Sequence, residues 1–452
     1  MINISWKKTT IVSAMILAAI QPLISKADTA SDCGPDVRID QPGPWGTAEP
    51  NVDPKNWQGS MQHVNPRNQG DLGDCYAESA AQMSDAFRFS HAAPTGDRYF
   101  GHQTSALEAA ISATKHHRAA YHSMIQMFSS DPTARKLHDI WGGLACDVFE
   151  SLKEKGSCSN ERVLEAKRYD GTIPFSSTLS TENTSDLTND HLLVINSKLL
   201  ISLQGFAHDW RQPLGNDWGF GTPGDLSGQS PPAIDLRAEL ACRLQADLDI
   251  KPIVETLLPS SQAIRRLLQN DDFGPKLITL ACAKNRIEIN SQATCVGPNS
   301  DLKVTSEKRK FVQEWFEKSS PIQPLSISFC GNLLMNGPAF KASIYSSECG
   351  NHEALVIGKR WNSNQNRCEF LVRNSWGTDA NSRIQNWEYD CTQYKLQNGT
   401  CLDGATDSHG NCLRPEHSNQ NCEYTSGSVW VDANALSANT YSFSHIQLSS
   451  KP

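Results

Sequence analysis

The spacing of apolar residues around Phe87 predicts a helix that carries a cysteine at its start. Glycines stop two residues before Cys75, and helix-forming residues continue through Phe89. Tyr76, Met83 and Phe87 fall on one face of that segment, as in an amphipathic helix. We therefore predict a helix that ends near Phe89 and has Cys75 in its first turn.

Four further segments have a helical pattern. Residues 105–127 are rich in Ala, His and Met, and the double glycine Gly142-Gly143 precedes a helix that ends near Lys155. Two more patterns cover residues 234–248 and 259–268. Apolar positions recur in these segments at helical spacing, which predicts that each contributes a helix to the fold.

Residues 170–274 differ in character from the segments on either side. Ser, Thr, Asn and Pro dominate the first part of this block, and the last two helical patterns lie in its second part. We predict a helical insertion over 170–274, whose role the sequence does not indicate.

The last third of the chain has the pattern of strands. Apolar runs at 324–329, 353–361, 369–373 and 428–431 are bounded by polar turn residues. The polar stretch at 362–367 separates two of these runs, which is typical of a hairpin. The fold class predicted from helices followed by strands is α+β.

The first 27 residues have the features of a signal peptide. Lys7 and Lys8 precede the uncharged apolar stretch 9–20, and Ser25 and Ala27 are small residues at the positions that a signal peptidase reads. The apolar stretch is too short to cross a bilayer comfortably. We therefore predict cleavage of 1–27 and export to a periplasmic or secreted location, with no membrane attachment after cleavage.

Downstream of the cleavage point, we predict an extended arm over 28–57 and one domain over 58–452. The arm is rich in Pro, Asp and Gly and shows no periodicity. The chain has 452 residues, 38% of them hydrophobic, which is enough to bury a core. The net charge of −8 argues against nucleic acid as the main partner.

The cysteine content fits an oxidising compartment. There are 14 cysteines in the chain, and exported proteins commonly pair them as disulfides. If Cys75 is a nucleophile, an odd number remains, so at least one more thiol is unpaired. In the polar loop 390–424 we predict two disulfides among Cys391, Cys401, Cys412 and Cys422. Zinc binding there is the alternative, but the spacing fits no zinc knuckle.

Metal binding is not predicted elsewhere either. His116, His117 and His122 fall on one predicted helix, where a solvated face is the expected role. Asp403, Asp407 and Asn411 resemble a calcium loop only faintly.

Cys75, His352 and Asn374 have the properties of a nucleophile, its base and an orienting group. A cysteine at a helix N-terminus is reactive because the unpaired N–H groups favour its thiolate. His352 opens the apolar strand 353–361, and Asn374 follows the next strand. If the two strands form a hairpin, Asn374 can accept a hydrogen bond from the imidazole, and Trp376 can shield that bond from water.

Three motifs resemble those of the papain-like cysteine peptidases. The run 68–79 (NQGDLGDCYAES) resembles the nucleophile motif, 351–358 (NHEALVIG) resembles the histidine motif, and 374–377 (NSWG) is identical to the asparagine motif. They occur in the family's order. Gln69 precedes Cys75 by the spacing of the glutamine that stabilises the oxyanion in that family.

The resemblance implies a two-lobed fold, with a helical lobe that carries Cys75 and a β-barrel-like lobe that carries His352 and Asn374. It implies peptide-bond hydrolysis without a cofactor, on a protein or peptide substrate. Gly142 and Gly143 look like the glycine pair whose backbone binds the substrate, although a plain turn is the alternative. The oligomeric state is not predicted.

The chain departs from the family's pattern at several positions. Leu72 stands where a disulfide-forming cysteine is usual, Tyr76 replaces a tryptophan, and Glu353 replaces a small residue beside the histidine. Glu353 adds a carboxylate at the site, which is expected to alter the pH optimum. Residues 28–68 leave no room for the family's long propeptide.

Two other functions fit the same residues. An acyl transferase of the transpeptidase or transglutaminase type would use the same acyl-enzyme, and a non-catalytic binding protein could keep the same fold. The intact set of Gln69, Cys75, His352 and Asn374 favours catalysis over the second of these.

Overall fold

The hairpin predicted from the last third of the sequence lies at the centre of one antiparallel sheet. In this computed structural model the described residues are 29–40, 60–62, 64, 67, 74–91, 103–113, 143–158, 202–203, 205–210, 235–248, 260–268, 273–282, 286–299, 301–318, 322–343, 346, 348–375, 389, 405–406, 412–413, 422–423 and 427–448.

The helices with defined bounds alternate irregularly with strands along the chain. The helices are α1 (Ala30–Cys33), α2 (Cys75–His91), α3 (Ala145–Lys155), α4 (Leu236–Leu248), α5 (Ser261–Leu268), α6 (Phe273–Ala281), α7 (Thr305–Lys318), α8 (Asn332–Asn336) and α9 (Ala433–Asn439). The strands are β1 (Val37–Arg38), β2 (Ala293–Asn299), β3 (Leu325–Cys330), β4 (Asn351–Asn362), β5 (Arg367–Arg373), β6 (Ala405–Thr406), β7 (Cys412–Leu413), β8 (Cys422–Glu423), β9 (Ser428–Asp432) and β10 (Thr440–Leu448).

Eight of the described strands form one sheet. Its order is β2-β10-β3-β4-β5-β9-β8, with β1 paired to β4, and every pairing is antiparallel. β6 and β7 pair separately. Helices together with an antiparallel sheet confirm the α+β class, while the division into two lobes and the barrel-like closure remain predictions.

The four strands predicted for the last third are confirmed, with ends that differ by at most two residues. β3, β4, β5 and β9 lie where the apolar runs predicted them, and β4 and β5 form the expected hairpin. Every residue of β3 is buried, as are the residues of β4 from His352 to Lys359. Both faces of these central strands are therefore covered, which explains their continuous apolar character.

The helix predictions agree with the structure wherever the chain is described. α2 begins at Cys75, α3 ends at Lys155, and α4 and α5 match the two patterns of the predicted insertion. Residues 106–113 are helical, and the rest of 105–127 lies outside the described residues. Most of 170–234 is also outside them, so the insertion itself stays a prediction.

The segment predicted as an extended arm is partly ordered into short elements. Its described residues form the one-turn helix α1 and the two-residue strand β1, which pairs with β4 at Val37↔Lys359. Elements of two and four residues are too short to have a detectable period, which is why the sequence did not reveal them. The buried Lys359 ammonium donates to the Cys33 carbonyl at 3.1 Å and to Glu317 of α7 at 2.6 Å.

Three disulfides lie within the described residues, and two of them join positions that are 149 and 124 apart in sequence. Cys146 of α3 bonds Cys295 of β2, Cys158 bonds Cys282, and Cys330 bonds Cys349. Cys33, Cys75, Cys242 and Cys368 are not disulfide-bonded in the structure, which confirms the expectation of at least one thiol besides Cys75 outside a disulfide.

The four-cysteine loop is described only in small part. Cys422 is disulfide-bonded, whereas Cys391 and Cys401 lie outside the described residues. The two disulfides predicted for this loop therefore remain a prediction. The predicted signal peptide at 1–27 also lies outside the described residues. Among the helices that the structure does describe, none is long and apolar enough to cross a membrane.

A buried carboxylate holds the turn end of the β4–β5 hairpin together. Glu369 is fully buried, and its two oxygens accept from Arg360 at 2.8 Å and from Arg367 at 2.9 and 3.0 Å. The Asn362 amide donates to the same carboxylate at 3.0 Å. Because this network crosses both strands next to the turn, it fixes the hairpin register whose other end carries His352 and Asn374.

Replacing Glu369 by Gln should destabilise the protein by about 3 kcal/mol, because two guanidinium groups then lose their buried counter-charge. Urea unfolding measures the effect. The matched control is Glu314→Gln on α7, which removes an exposed carboxylate paired with Lys318 at 2.7 Å and should leave the midpoint unchanged. Equal midpoint shifts in the two variants would contradict the structural role of the Glu369 network.

Candidate functional site

Cys75 is the first residue of the long helix α2. The Asp74 carbonyl accepts from the N–H groups of Ala77 at 2.8 Å and Glu78 at 3.0 Å, which closes the first turn directly over the cysteine. The residue is half-buried. Its position agrees with the prediction of a helix with the thiol in its first turn, whereas the glycine-rich segment 70–73 lies outside the described residues.

The thiol of Cys75 is held in its protonated form. Its pKa is raised to about 12, mainly by burial and in smaller part by the negative charges of Glu353 and Asp74. Hydrogen bonds from the N–H groups of Glu353 and Tyr76 act in the opposite direction but are weaker. The sequence led us to expect that the helix N-terminus would favour the thiolate. Desolvation and two nearby carboxylates outweigh that contribution here.

His352 lies near the start of β4 and is hydrogen-bonded to Asn374 just after β5. The Nε2 to Oδ1 distance is 2.6 Å, and both residues are buried. The same Asn374 oxygen accepts from the Ser375 N–H at 2.8 Å. Because a carbonyl oxygen only accepts, Nε2 carries the hydrogen, which leaves Nδ1 as the basic nitrogen. The pairing that the sequence predicted for these two residues is present.

Burial makes the imidazole of His352 a weak base in this resting structure. Its pKa is lowered to about 4, and the hydrogen bond with Asn374 acts against this shift. The ring is therefore neutral at neutral pH, and the thiol opposite it is neutral as well.

His352 packs against β3 and the residue that follows it. The Phe329 ring contacts the imidazole edge to face, with centroids 5.6 Å apart. A Cβ on Gly331 would lie 2.8 Å from the His352 Cβ, so only glycine allows this approach. The Cys330–Cys349 disulfide joins the residues that flank this contact. Neither the glycine nor the disulfide was recognised from sequence, although both cysteines were visible there.

The sulfur of Cys75 lies against the peptide that follows His352. The backbone N–H of Glu353 donates to Sγ, so Cys75 of α2 lies against β4 next to His352. Residues 75, 352 and 374 are thus assembled from a helix start and from two strands of one hairpin. This is the arrangement that a nucleophile, a base and an orienting amide need.

The side chain of Glu353 is buried beside the thiol. Its carboxyl accepts a 2.5 Å hydrogen bond from the Ser326 hydroxyl on β3 and another from the Ala145 N–H at the start of α3. Burial raises the pKa of this carboxyl to about 7, and both hydrogen bonds lower it in part. The sequence identified the extra carboxylate, but nothing in it indicated Ser326 as the partner.

Gly143 packs against the residue that follows the cysteine. A Cβ at this position would lie 2.5 Å from the buried Tyr76 ring, so a side chain cannot be accommodated without movement of that ring. Gly143 also stands two residues before the Ala145 amide that binds Glu353. The structure therefore brings this predicted residue to the site, and a packing reason alone explains why it is glycine.

A buried group of charges lies along the same helix. Arg67 donates to Glu78 at 3.4 Å and to Asp85 at 2.8 Å, and Asp85 also accepts from the Thr104 hydroxyl at 2.6 Å. Both carboxyl oxygens of Asp74 lack a hydrogen-bond partner within the described residues, and burial raises its pKa well above the usual range. The sequence gave no reason to single out this group.

Three of the predicted site residues cannot be placed. Gln69, Gly142 and Trp376 lie outside the described residues, so their roles stay predictions. The same holds for His116, His117 and His122. In the part of the chain that is described, no group of three or more His, Cys, Asp or Glu side chains could hold a metal ion.

Comparisons with known proteins add little to this picture. No family model matches the chain, and no curated protein matches it. Among solved structures, one match is described as "Structural basis for the limited antibody cross reactivity between the mite allergens Blo t 1 and Der p 1". It is 12% identical, covers 85% of this chain and 67% of that chain, and has a TM-score of 0.31. A likeness of this strength carries no argument about function.

The lowered pKa of His352 predicts an acid-dependent loss of stability. Between pH 6.5 and about 4 the unfolded chain binds a proton that the folded chain does not, so the stability present above pH 6.5 is lost as the pH falls. His352→Gln removes this contribution. The free energy of unfolding is measured with urea at pH 7.0 and 4.5. From pH 7.0 to 4.5, the wild type should lose up to about 3 kcal/mol more of this free energy than the variant does. A pH-independent difference would show that the buried imidazole is not held neutral.

Proposed function

We propose that this chain is an exported cysteine peptidase of the papain type, with Cys75 as nucleophile, His352 as base and Asn374 as the group that orients the histidine. The observation that carries the proposal is the buried 2.6 Å hydrogen bond between His352 and Asn374, together with the contact of the Cys75 sulfur with the next residue of β4. The three papain-like motifs in the sequence support the same assignment.

The reaction begins with a proton transfer from the Cys75 thiol to the His352 imidazole. In this buried site the thiolate and the imidazolium are stable only when they form together. Burial disfavours a lone thiolate and a lone imidazolium, but a proton that moves from Sγ to Nδ1 creates both charges side by side. Each then offsets the desolvation of the other. We infer that the resting site is a neutral thiol and imidazole, and that the ion pair forms as the substrate approaches.

The remaining steps follow the chemistry of a thiolate nucleophile. Sγ attacks the scissile carbonyl carbon, and the carbonyl oxygen becomes an oxyanion that the Cys75 N–H and the Gln69 side chain stabilise. The His352 imidazolium gives its proton to the leaving amine, which departs and leaves a thioester on Cys75. Water then attacks the thioester while His352 accepts its proton, and the C–S bond breaks to release the acid. The proton returns from His352 to Sγ, which restores the neutral thiol and imidazole. No cofactor takes part.

The wider architecture belongs to the same proposal. A helical lobe would carry Cys75 and a β-rich lobe would carry His352 and Asn374, with Gly142 and Gly143 binding the peptide backbone. The helical insertion over 170–274 would restrict access to the site. The disulfides are consistent with an extracellular or periplasmic setting.

Hydrolysis of a fluorogenic peptide library tests the function. The wild type should cleave at least one peptide, and a thiol-directed epoxide should block cleavage. Cys75→Ala should abolish it while leaving the unfolding midpoint near that of the wild type. The matched control is Cys242→Ala, which removes the exposed free thiol of α4 and should leave activity unchanged.

Two outcomes would replace the proposal by its alternatives. Full activity of Cys75→Ala would exclude the thiol mechanism. Product that forms only when an amine acceptor is added would identify an acyl transferase on the same residues.

A further inference from the structure

One buried titratable group at the site has no part in the proposed reaction. The Glu353 carboxyl lies beside the nucleophile, while its own backbone N–H donates to the Cys75 sulfur. The side chain is 4% exposed and is fixed by Ser326 of β3 at 2.5 Å and by the Ala145 N–H of α3. A carboxyl group held this rigidly next to a thiol affects the charge that the thiol can carry.

The groups that face this carboxyl make its ionisation unfavourable. From α3 the negative charge of Asp147 acts on it. From α2 it faces the Cys75 thiol, on which Asp74 acts as well. Its neighbour on β4, His352, is neutral at rest, and β3 contributes the uncharged Ser326 hydroxyl. A thiolate formed beside an ionised Glu353 would add a second negative charge to the same buried space.

We propose that Glu353 is a positioning residue whose carboxyl must be protonated for Cys75 to act as a nucleophile, so that the site works on the acid side of neutrality. This inference rests on the proposed function, because it assumes that Cys75 attacks the substrate as a thiolate.

The direction of the pH effect follows from the two neighbouring groups. The pKa of Glu353 is raised to about 7, so the carboxyl is neutral below that pH and anionic above it. The anion raises the pKa of Cys75. Each unit by which the thiol pKa rises lowers the thiolate population about tenfold at a fixed pH. The reactivity of Cys75 should therefore fall, relative to that of an isolated thiol, as the pH rises through 7.

The test compares wild type, Glu353→Gln and Ser326→Ala in the full chain. Alkylation of Cys75 by iodoacetamide is followed by mass spectrometry at pH 5.5 to 8.5, with Cys242 in the same sample as the internal control for an ordinary exposed thiol. Hydrolysis of the best peptide is measured over the same range. For each protein the readout is the ratio of its rate at pH 8 to its rate at pH 5.5.

Glu353→Gln should raise this ratio about tenfold, because the amide cannot ionise. Ser326→Ala keeps the carboxyl but removes a hydrogen bond that lowers its pKa, so the fall in reactivity should move to higher pH. This small substitution keeps the test valid if Glu353→Gln does not fold. If both variants fold, pH profiles that match the wild type in both would overturn the inference. If only Ser326→Ala folds, an unchanged pH profile of that variant would overturn it.

The two readouts separate this inference from the proposed function. If no peptide is cleaved but Cys75 alkylation follows Glu353 as expected, the peptidase proposal fails and the electrostatic role of Glu353 stands. If peptides are cleaved but neither profile changes, the role of Glu353 fails and the peptidase proposal stands.

A second observation, independent of the active site, concerns Cys33 and Cys368. Their buried side chains are hydrogen-bonded to each other, and the Cys33 sulfur also lies 3.0 Å from the Arg360 carbonyl. The side-chain amide of Gln313 lies beside this pair. Its Nε2 donates to the Asp32 carbonyl at 2.9 Å and to the Cys368 sulfur at 3.8 Å. Two cysteines that are distant in sequence therefore meet as hydrogen-bonded side chains, which the structure does not join in a disulfide.

We infer that Cys33 and Cys368 form a further disulfide in the mature protein. The cysteine count agrees with this pairing. Three disulfides use six of the 14 cysteines, and the predicted pairs in loop 390–424 use four more. If Cys33 bonds Cys368, the two that remain are the nucleophile Cys75 and the exposed Cys242.

The bond would form by exchange with a disulfide of a thiol oxidoreductase or an oxidised small thiol. One thiolate attacks the oxidant's disulfide to give a mixed disulfide. The second thiolate then displaces the reduced oxidant, and both thiol protons end on the oxidant's two sulfurs. Because both side chains are buried in the folded state, we place this exchange during folding. The product would anchor α1 and β1 to β5 covalently.

Peptide mapping of the unreduced protein, alkylated after denaturation, decides between the two states. The expected result is a linked pair of peptides containing Cys33 and Cys368, found alongside the Cys330–Cys349 pair as the positive control. Cys33→Ser should leave Cys368 alkylated, and Cys242 should be alkylated in every sample. Recovery of Cys33 and Cys368 both as alkylated thiols in wild type, with Cys330 and Cys349 still linked, would overturn the inference.

Discussion

The antiparallel pairing of β4 with β5 is the constraint on which the candidate site depends. It places His352 near the start of one strand and Asn374 just after the end of the other, so a hydrogen bond of 2.6 Å joins residues 22 positions apart. A slip of one residue in either strand would turn that strand's side chains to the opposite face of the sheet and separate the pair. The register is held at the turn by the buried Glu369 network and at the His352 end by the Cys330–Cys349 disulfide.

The packing that fixes the geometry of the site also buries its titratable groups, which disfavours their charged forms. Cys75, His352 and Glu353 are each shifted toward their neutral forms, and burial is the largest cause for all three. A site of this kind does not store a thiolate at rest. It can form one only where a partner charge appears in the same step, which makes the proton transfer from sulfur to imidazole the central event of the proposed reaction.

The sequence predicted the helix and strands that contain the site residues. It did not predict most of the tertiary contacts that set the positions and pKa values of those residues. The helix that starts at Cys75 and the strands that flank His352 and Asn374 follow from local patterns of glycine and apolar residues. Other contacts at the site are made between residues that are apart in sequence, as for Ser326, Gly331 and the Cys330–Cys349 bond. No local sequence pattern indicates which residues meet in such contacts. The thiol pKa was expected in the wrong direction because the helix N-terminus is visible in the sequence, whereas desolvation depends on tertiary packing.

The central claim is that Cys75 carries the acyl group of the substrate. Rapid-quench mass spectrometry with an activated peptide ester tests it most directly, because the thioester raises the mass of one peptide by the mass of the acyl group. The account predicts that this adduct forms on Cys75, appears before free product, and is formed far more slowly in His352→Gln. An adduct on Cys242 alone, or product release from wild type without any adduct on Cys75, would contradict it.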